Sequence, residues 1–277
     1  MKIGFIGAGK VGFSLGKYFV NHGKCVIGYF SRNLDSSKDA AMFTNSKYYD
    51  NLDELVAACE VIFLTVPDGS IRETYKAIEQ LDVTGKCFVH CSGVLTSEVF
   101  EDISSKGARG CSLHPLCAVN DKYTGYMGLK DTYFTVEGQN TEDIVKLISE
   151  CGNPIEVIAK ADKVKYHAAA VYASNLVVGL YDMASELLKD CNLSDEFAEH
   201  ALGTLFEGNA HNITSKGVIG ALTGPVERAD ATTVKKHMDT LDDDKREIYR
   251  LLSHRLIDIA QEKNPDRGYT DTRKELR

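Results

Sequence analysis

The chain begins Met1-Lys2-Ile3-Gly4-Phe5-Ile6-Gly7-Ala8-Gly9-Lys10-Val11-Gly12. A short β-rich run, Lys2–Ile6, passes directly into three glycines spaced Gly-x-Gly-x-x-Gly, and residues 11–21 continue with helical spacing. In a strand–turn–helix of this kind the first glycine permits the tight turn and the second lets backbone approach a pyrophosphate. The third allows close packing of helix on strand. The helix start behind the loop directs unpaired N–H groups and the positive end of its dipole at the phosphates. Gly7, Ala8, Gly9, Lys10, Val11 and Gly12 are therefore the expected dinucleotide cradle.

Working outward, strand and helix signals alternate. Cys25–Phe30 is β-rich, residues 61–66 read Val-Ile-Phe-Leu-Thr-Val, and 86–91, 110–113 and 131–136 are further strand candidates, with a helical stretch at 96–105. Continuous apolar strands between amphipathic helices indicate a parallel sheet covered on both faces, a doubly wound α/β fold. The end of the second strand distinguishes between dinucleotides. An NAD site usually carries an acid there for the ribose 2′-hydroxyl. This chain reads Phe30-Ser31-Arg32-Asn33 instead. Arg32 can pair with a 2′-phosphate through its planar fork, with Ser31 and Asn33 adding hydrogen bonds. The expected cofactor is NADP(H); a solvated surface arginine is the competing reading. Val66-Pro67-Asp68 ends another strand, and Ser92 follows the next. Both turns would lie on the nicotinamide side of the crevice. His90, two residues before Ser92, has the parity of a core residue.

The second half changes character. No proline occurs between Pro154 and Pro225, and residues 161–190 can form one long helix whose apolar positions wrap most of the way round. Residues 194–206, opened by a capping Ser194, and 243–261, opened by the acidic run Asp242-Asp243-Asp244, read as further helices. This divides the chain into a nucleotide-binding domain over 1–157 and an all-helical domain over 158–277, with 264–277 polar and loosely held.

Composition bounds the function. In 277 residues, 32 Lys and Arg face 40 Asp and Glu, a formal net charge of −8 that excludes a phosphate-backbone-binding surface, so no nucleic-acid partner is expected. No window is apolar for long enough to span a membrane, and the N-terminus is a poor signal peptide, which points to a soluble cytoplasmic protein. Eight cysteines lack metal-site spacing and read as free, mostly buried thiols, with no metal expected.

The glycine loop, the Val66-Pro67-Asp68 turn and the helical second half resemble the 6-phosphogluconate dehydrogenase-like superfamily. Three more patterns narrow the likeness: Ser112-Leu113-His114-Pro115-Leu116, Tyr166-His167-Ala168-Ala169-Ala170 running on to Ser174-Asn175, and Leu222-Thr223-Gly224-Pro225-Val226. Together they resemble Rossmann-like proteins with a DUF2520 C-terminal domain, some of which serve as an alternative class of ketopantoate reductase. The resemblance spans essentially the whole chain. It implies an N-terminal Rossmann domain, a C-terminal domain of the 6-phosphogluconate dehydrogenase type, and a homodimer paired through the helical domain.

Reduction of a carbonyl by hydride needs a hydrogen-bond or proton donor beside the new alkoxide and groups that hold the substrate carboxylate. Relatives place a Lys and an Asn four residues apart on the first interdomain helix. Here Asn175 matches the Asn, but Val171 stands where the Lys would be. His114, His167, Lys163 and Lys165 are the replacement candidates. Pro115 biases His114 to an extended backbone just beyond a strand end, and a similar His-Pro pair carries the catalytic histidine of prephenate dehydrogenases. His114, His167 and Asn175 are thus the expected catalytic residues, with His114 titrating between about pH 6 and 7. Arg228 is the candidate for the substrate carboxylate, or a partner of Asp230. Relatives often read Arg-Gly-Asp where this chain has Arg228-Ala229-Asp230. The reading favoured is an NADPH-dependent reductase of a small 2-keto acid, with ketopantoate as the specific candidate. Imine or prephenate-type oxidoreduction, and a non-catalytic NADP-binding redox sensor, stand as alternatives.

Overall fold

A computed structural model describes all residues, 1–277. Eight strands form one sheet in the order β3-β2-β1-β4-β5-β6-β7-β8. They are β1 (Lys2–Ile6), β2 (Cys25–Phe30), β3 (Lys47–Tyr49), β4 (Val61–Leu64), β5 (Cys87–His90), β6 (Arg109–Pro115), β7 (Phe134–Gly138) and β8 (Ile155–Val157). All neighbours run parallel except β6 and β7, which are antiparallel. The order reverses between β1 and β4, so the carboxyl ends of those two strands open a crevice of the kind in which doubly wound sheets bind ligands. Crossover helices α1 (Lys10–Asn21), α2 (Leu34–Thr44), α3 (Leu52–Ala58) and α4 (Asp68–Ile78) cover the faces. Phe5, Phe19, Tyr29 and Phe63 stack in the core on one face, and Ile62, Leu64, Ile71 and Phe88 fill the other. The doubly buried strands are the reason for the unbroken apolar runs in the sequence.

Beyond β6 the chain forms the short α5 (Gly125–Gly128), then α6 (Glu142–Ser149), α7 (Lys163–Ala173), α8 (Asn175–Asp190), α9 (Asp195–Ala221), α10 (Ala231–Thr240), α11 (Asp243–Lys263) and α12 (Thr270–Glu275). Ser194 caps α9 and Asp242 caps α11, each accepting a backbone N–H three residues on. The chain divides into two compact units, Met1–Ser174 and Asn175–Arg277. The change to all-helical composition comes earlier, near residue 157. The segment between these points packs with the sheet because Lys163, 1% exposed, is bonded to Ser92 just beyond β5 and to Ser112 within β6.

Several sequence-based expectations need correction. The single helix over 161–190 is two helices, broken at Ser174, whose φ of −130° and ψ of −80° are non-helical. Val171 and Asn175, four residues apart, therefore lie on two different helices. The stretch 96–105 forms two short 3₁₀ turns, Ser97–Val99 and Ile103–Lys106. The polar tail is not loose: Tyr269 and Leu276 are buried with Val234, Met238 and Ile257 in the core of the second unit. The thiols are all free, but only Cys59, Cys87, Cys111 and Cys151 are buried.

Candidate functional site

The glycine loop lies where β1 meets α1, and close contacts explain its composition. Gly7 has φ +103°, and a Cβ there would lie 2.7 Å from the Thr65 carbonyl oxygen. A Cβ on Gly12 would lie 2.6 Å from Thr65 Oγ1 and 2.7 Å from the Gly7 oxygen. The loop is pinned from both sides: Gly7 N donates to Phe30 O at 2.8 Å, and Thr65 Oγ1 donates to Gly7 O at 2.8 Å. Gly9 differs. Its Cβ would meet no protein atom closer than 4.0 Å, so its open side faces free space. Gly9 is also the N-cap of α1, with no side-chain cap and no acid in the first turn. The helix start therefore keeps unpaired N–H groups and an uncompensated positive dipole end, which suits an anion.

A cleft of about 470 Å³ runs along this edge, lined by Gly7–Gly9, by Ser31 and Arg32 at the end of β2, and by Thr65–Pro67 at the end of β4. Seven of the expected cofactor residues thus share one cavity: Gly7, Ala8, Gly9, Ser31, Arg32, Val66 and Pro67. Arg32 is exposed there. Lys10, exposed, and Val11, half-buried, belong to the first turn of α1 rather than the cavity wall. Asn33 caps α2, its Oδ1 accepting from Asp35 N and Ser36 N, so that oxygen is already committed. Asp68 and Ser92 are joined, Ser92 Oγ donating to Asp68 Oδ2 at 2.6 Å. The same hydroxyl accepts from Leu95 N at 3.0 Å. This link carries the cleft edge across to the end of β5.

Next to Ser92 the structure gathers a cluster that the sequence named only in parts. Lys163 Nζ donates to Ser92 O at 2.9 Å and to Ser112 Oγ, and Ser112 Oγ donates to Ser92 O at 3.2 Å. His114 Nδ1 is 2.9 Å from Tyr166 Oη, and the His114 and His167 rings meet edge to face at 5.9 Å. Gly93 makes this approach possible. A Cβ there would lie 2.4 Å from His167 Nδ1 and 2.9 Å from His114 Nε2. His167 Nδ1 is buried without a hydrogen-bond partner. Lys163, Tyr166 and His167 share one face of α7 by their three- and four-residue spacing, whereas Val164 and Lys165 are exposed.

Burial, then the nearby charge of Lys163 and the neighbouring His167, pushes His114 down to about 4. That corrects the expectation of titration between pH 6 and 7: the imidazole is neutral at physiological pH. Burial likewise lowers Lys163. His90 is a core residue, as its parity implied. Nε2 donates to Thr96 O, Nδ1 accepts from Ser92 N, and burial pushes it down to about 4. Sequence reasoning missed Tyr166 as the partner of His114, and Thr65 and Ser112 as supports. Asn175 opens α8 and Arg228 is exposed in the second unit, so the first unit brings together His114 and His167 alone among the expected catalytic and substrate residues. Asp230 caps α10 through Thr233, and Ala229 takes a left-handed φ of +57°.

A Rossmann-like domain family matches residues 1–115, and the family described as a domain of unknown function, DUF2520, matches residues 132–256. The chain is a Rossmann-like protein carrying a DUF2520 domain. No curated protein matches it by sequence. Among solved structures it resembles protein TM1727 from Thermotoga maritima, with 27% identity over 94% of this chain and 99% of the other, at a TM-score of 0.75. A candidate NADP oxidoreductase from Bacteroides fragilis is 24% identical over 93% of this chain and 98% of its own, at a TM-score of 0.72. A pyrroline carboxylate reductase from Plasmodium falciparum with NADP bound is 13% identical, covers 98% of this chain and 99% of its own, and gives a TM-score of 0.62. The last two likenesses show the fold, which here extends through the DUF2520 domain. No helix is long and apolar enough to cross a membrane.

Proposed function

We propose that this chain is an NADP(H)-dependent oxidoreductase that reduces a small carboxylate-bearing carbonyl compound, with 2-keto acids such as ketopantoate as the leading substrates. The observation that carries it is the cleft in which an uncapped helix start at Gly9 and the exposed Arg32 line one cavity. The fit to the cofactor is chemical: unpaired N–H groups suit a pyrophosphate, and Arg32 with Ser31 suits a 2′-phosphate. The NADP named with the Bacteroides and Plasmodium structures supports the same choice. Bound there, NADPH supplies the hydride. The chain's own task is to hold the substrate and stabilise the developing oxyanion. His114 is assigned that donor role, His167 and Asn175 substrate contacts, and Arg228 the carboxylate. In this reading 1–157 form the cofactor domain and 158–277 the substrate and dimer domain, acting in the cytoplasm.

A second reading, reduction of an imine, is favoured by one specific observation. His114 is neutral and Lys163 is tied to Ser92 and Ser112, so no free cationic acid stands in the cluster. An iminium brings its own proton and needs none. NADPH oxidation against a panel of 2-keto acids and cyclic imines tests both. Turnover of a keto acid supports the first reading and turnover of imines alone the second; tight NADPH binding with no turnover at all would leave a redox sensor. With the active substrate in hand, His114→Ala and Asn175→Ala should each lower kcat/KM at least about tenfold while NADPH affinity is unchanged. Unchanged kcat/KM in either variant removes that residue from the assignment.

The same proposal includes a homodimer through the helical domain. Helix α8 has no buried residue and the 27-residue α9 buries only Ala198, while Leu176, Val178, Phe197, Leu205 and Leu251 are exposed. So much apolar surface suits an interface of about 800 Å² per partner or more. Light scattering at micromolar concentration should give twice the chain mass; a monomer contradicts it.

A further inference from the structure

We propose that Tyr166 is the positioning residue of His114: its phenol donates to Nδ1 and so holds the imidazole in the tautomer whose Nε2–H is the donor at the site. The inference rests on the oxidoreductase reading only for what that donor does; the tautomer itself is a property of the folded chain.

The geometry starts from α7. Lys163 fixes the first turn of the helix by its bonds to Ser92 O and Ser112 Oγ. One turn later Tyr166 therefore has a set position, and its Oη lies 2.9 Å from His114 Nδ1. The two rings stand at 89° with centroids 5.6 Å apart, so the phenol meets the imidazole edge to face and does not stack on it. From the other side, Pro115 is buried and pairs with Phe134, which fixes the backbone beside His114. Both partners are thus held by separate elements, and the bond is built into the fold.

The direction of the bond follows from acidity. A phenol O–H is a better donor than the N–H of a neutral imidazole, and burial holds Tyr166 in its protonated form. The groups around His114 agree. Lys163 and His167 from α7 both disfavour an imidazolium, and Asp68 is the one facing carboxylate. A neutral ring accepting at Nδ1 must carry its proton on Nε2. Nε2 is on the Gly93 side of the ring, 2.9 Å from where a Cβ on Gly93 would stand, and His167 Nδ1 is 2.4 Å from the same point. A neutral donor of this kind stabilises a developing oxyanion without a full positive charge.

The test is nitrogen NMR of the full chain with ring-labelled histidine at pH 7, without cofactor. The chain has eight histidines, and His114 is assigned by its loss in His114→Asn. The wild-type protein should show His114 with Nε2 protonated and Nδ1 unprotonated and hydrogen-bonded. In Tyr166→Phe the Nδ1 signal should move to the unbonded range and the opposite tautomer should appear. With an active substrate, Tyr166→Phe should lower kcat about fivefold, roughly one neutral hydrogen bond, with KM within about twofold. A wild-type His114 protonated on Nδ1 overturns the proposal, and so do superimposable His114 signals in wild type and variant. The wild-type spectrum decides even if the variant fails to fold. If the expected tautomer is found but no substrate is turned over, the positioning stands and the oxidoreductase reading falls.

Discussion

Lowering the pH from 6.5 to 4 should remove about 3 kcal/mol of stability for each of two histidines, His90 and His114. Both are pushed from 6.5 to about 4 in the folded chain. Each shift of about 2.5 units corresponds to about 3 kcal/mol between protonation states. The sign follows from proton uptake. Between about pH 4 and 6.5 the unfolded imidazoles bind protons that the folded ones refuse, so stability rises with pH across that window and levels off above it. The local cause is different at each residue. His90 is wedged between the Ser92 N–H and the Thr96 carbonyl, so a second ring proton would point at a donor. His114 faces the Tyr166 phenol and the Lys163 charge. Denaturant unfolding followed by tyrosine fluorescence suits a chain without tryptophan. A steep loss below pH 6.5, reduced by about half in His114→Gln, is expected. Constant stability from pH 6.5 to 4.5 contradicts the neutral, buried state of both rings.

Gly7→Ala should destabilise the chain by about 4 kcal/mol and abolish cofactor binding, whereas Gly9→Ala should affect binding alone. At Gly7 two costs combine. The positive φ of +103° is rarely adopted by alanine, and the new Cβ would fall 2.7 Å from a backbone oxygen. Strain of this kind costs about 1–3 kcal/mol and overpacking a similar amount. Relief by movement is blocked, because Thr65 N is bonded to Ile6 O and Gly7 N to Phe30 O. At Gly9 the nearest protein atom is 4.0 Å from the added Cβ and φ is −85°, so folding should change by less than about 0.5 kcal/mol. The methyl group would instead occupy the space open to a phosphate, and NADPH affinity should fall at least about tenfold. Thermal unfolding and a fluorescence titration separate the two effects. Equal stability losses in both variants, or full binding by Gly9→Ala, contradict the account.

These two sites also show what the sequence could and could not convey. The glycine loop was legible because its geometry is local: strand, turn and helix start lie within a dozen residues, although the close contacts at Gly7 and Gly12 come from Thr65. The place of Arg32 on the cleft wall was legible because it lies two residues past the end of β2. The His114 cluster was legible only in pieces. Tyr166 is 52 residues from His114 in sequence, and no periodicity announces that they meet. Lys163 reads as a candidate acid on the interdomain helix, but its burial depends on Ser92 and Ser112, 71 and 51 residues away in the chain. The helix break at Ser174 carries no proline or glycine to mark it. In the tail, Tyr269 and Leu276 are lone apolar residues in a polar string, and their burial is set by α10 and α11 rather than by neighbours in the chain. The reversal at β7 was equally hidden, since a five-residue strand shows no direction. Local backbone chemistry was read correctly; contacts across the sheet edge were not available to read.

The most direct measurement is a pair of titrations, NADPH and NADH against wild type and Arg32→Asp. The central claim is that the cleft at the ends of β1, β2 and β4 binds NADP(H), with Arg32 on the 2′-phosphate. Wild type should bind NADPH with micromolar affinity, on the order of −8 kcal/mol, and NADH at least about tenfold more weakly. Arg32→Asp, which leaves the glycine loop intact, should weaken NADPH and narrow or reverse that preference. Wild-type binding that is equal for the two nucleotides, or stronger for NADH, would contradict the assignment of Ser31 and Arg32.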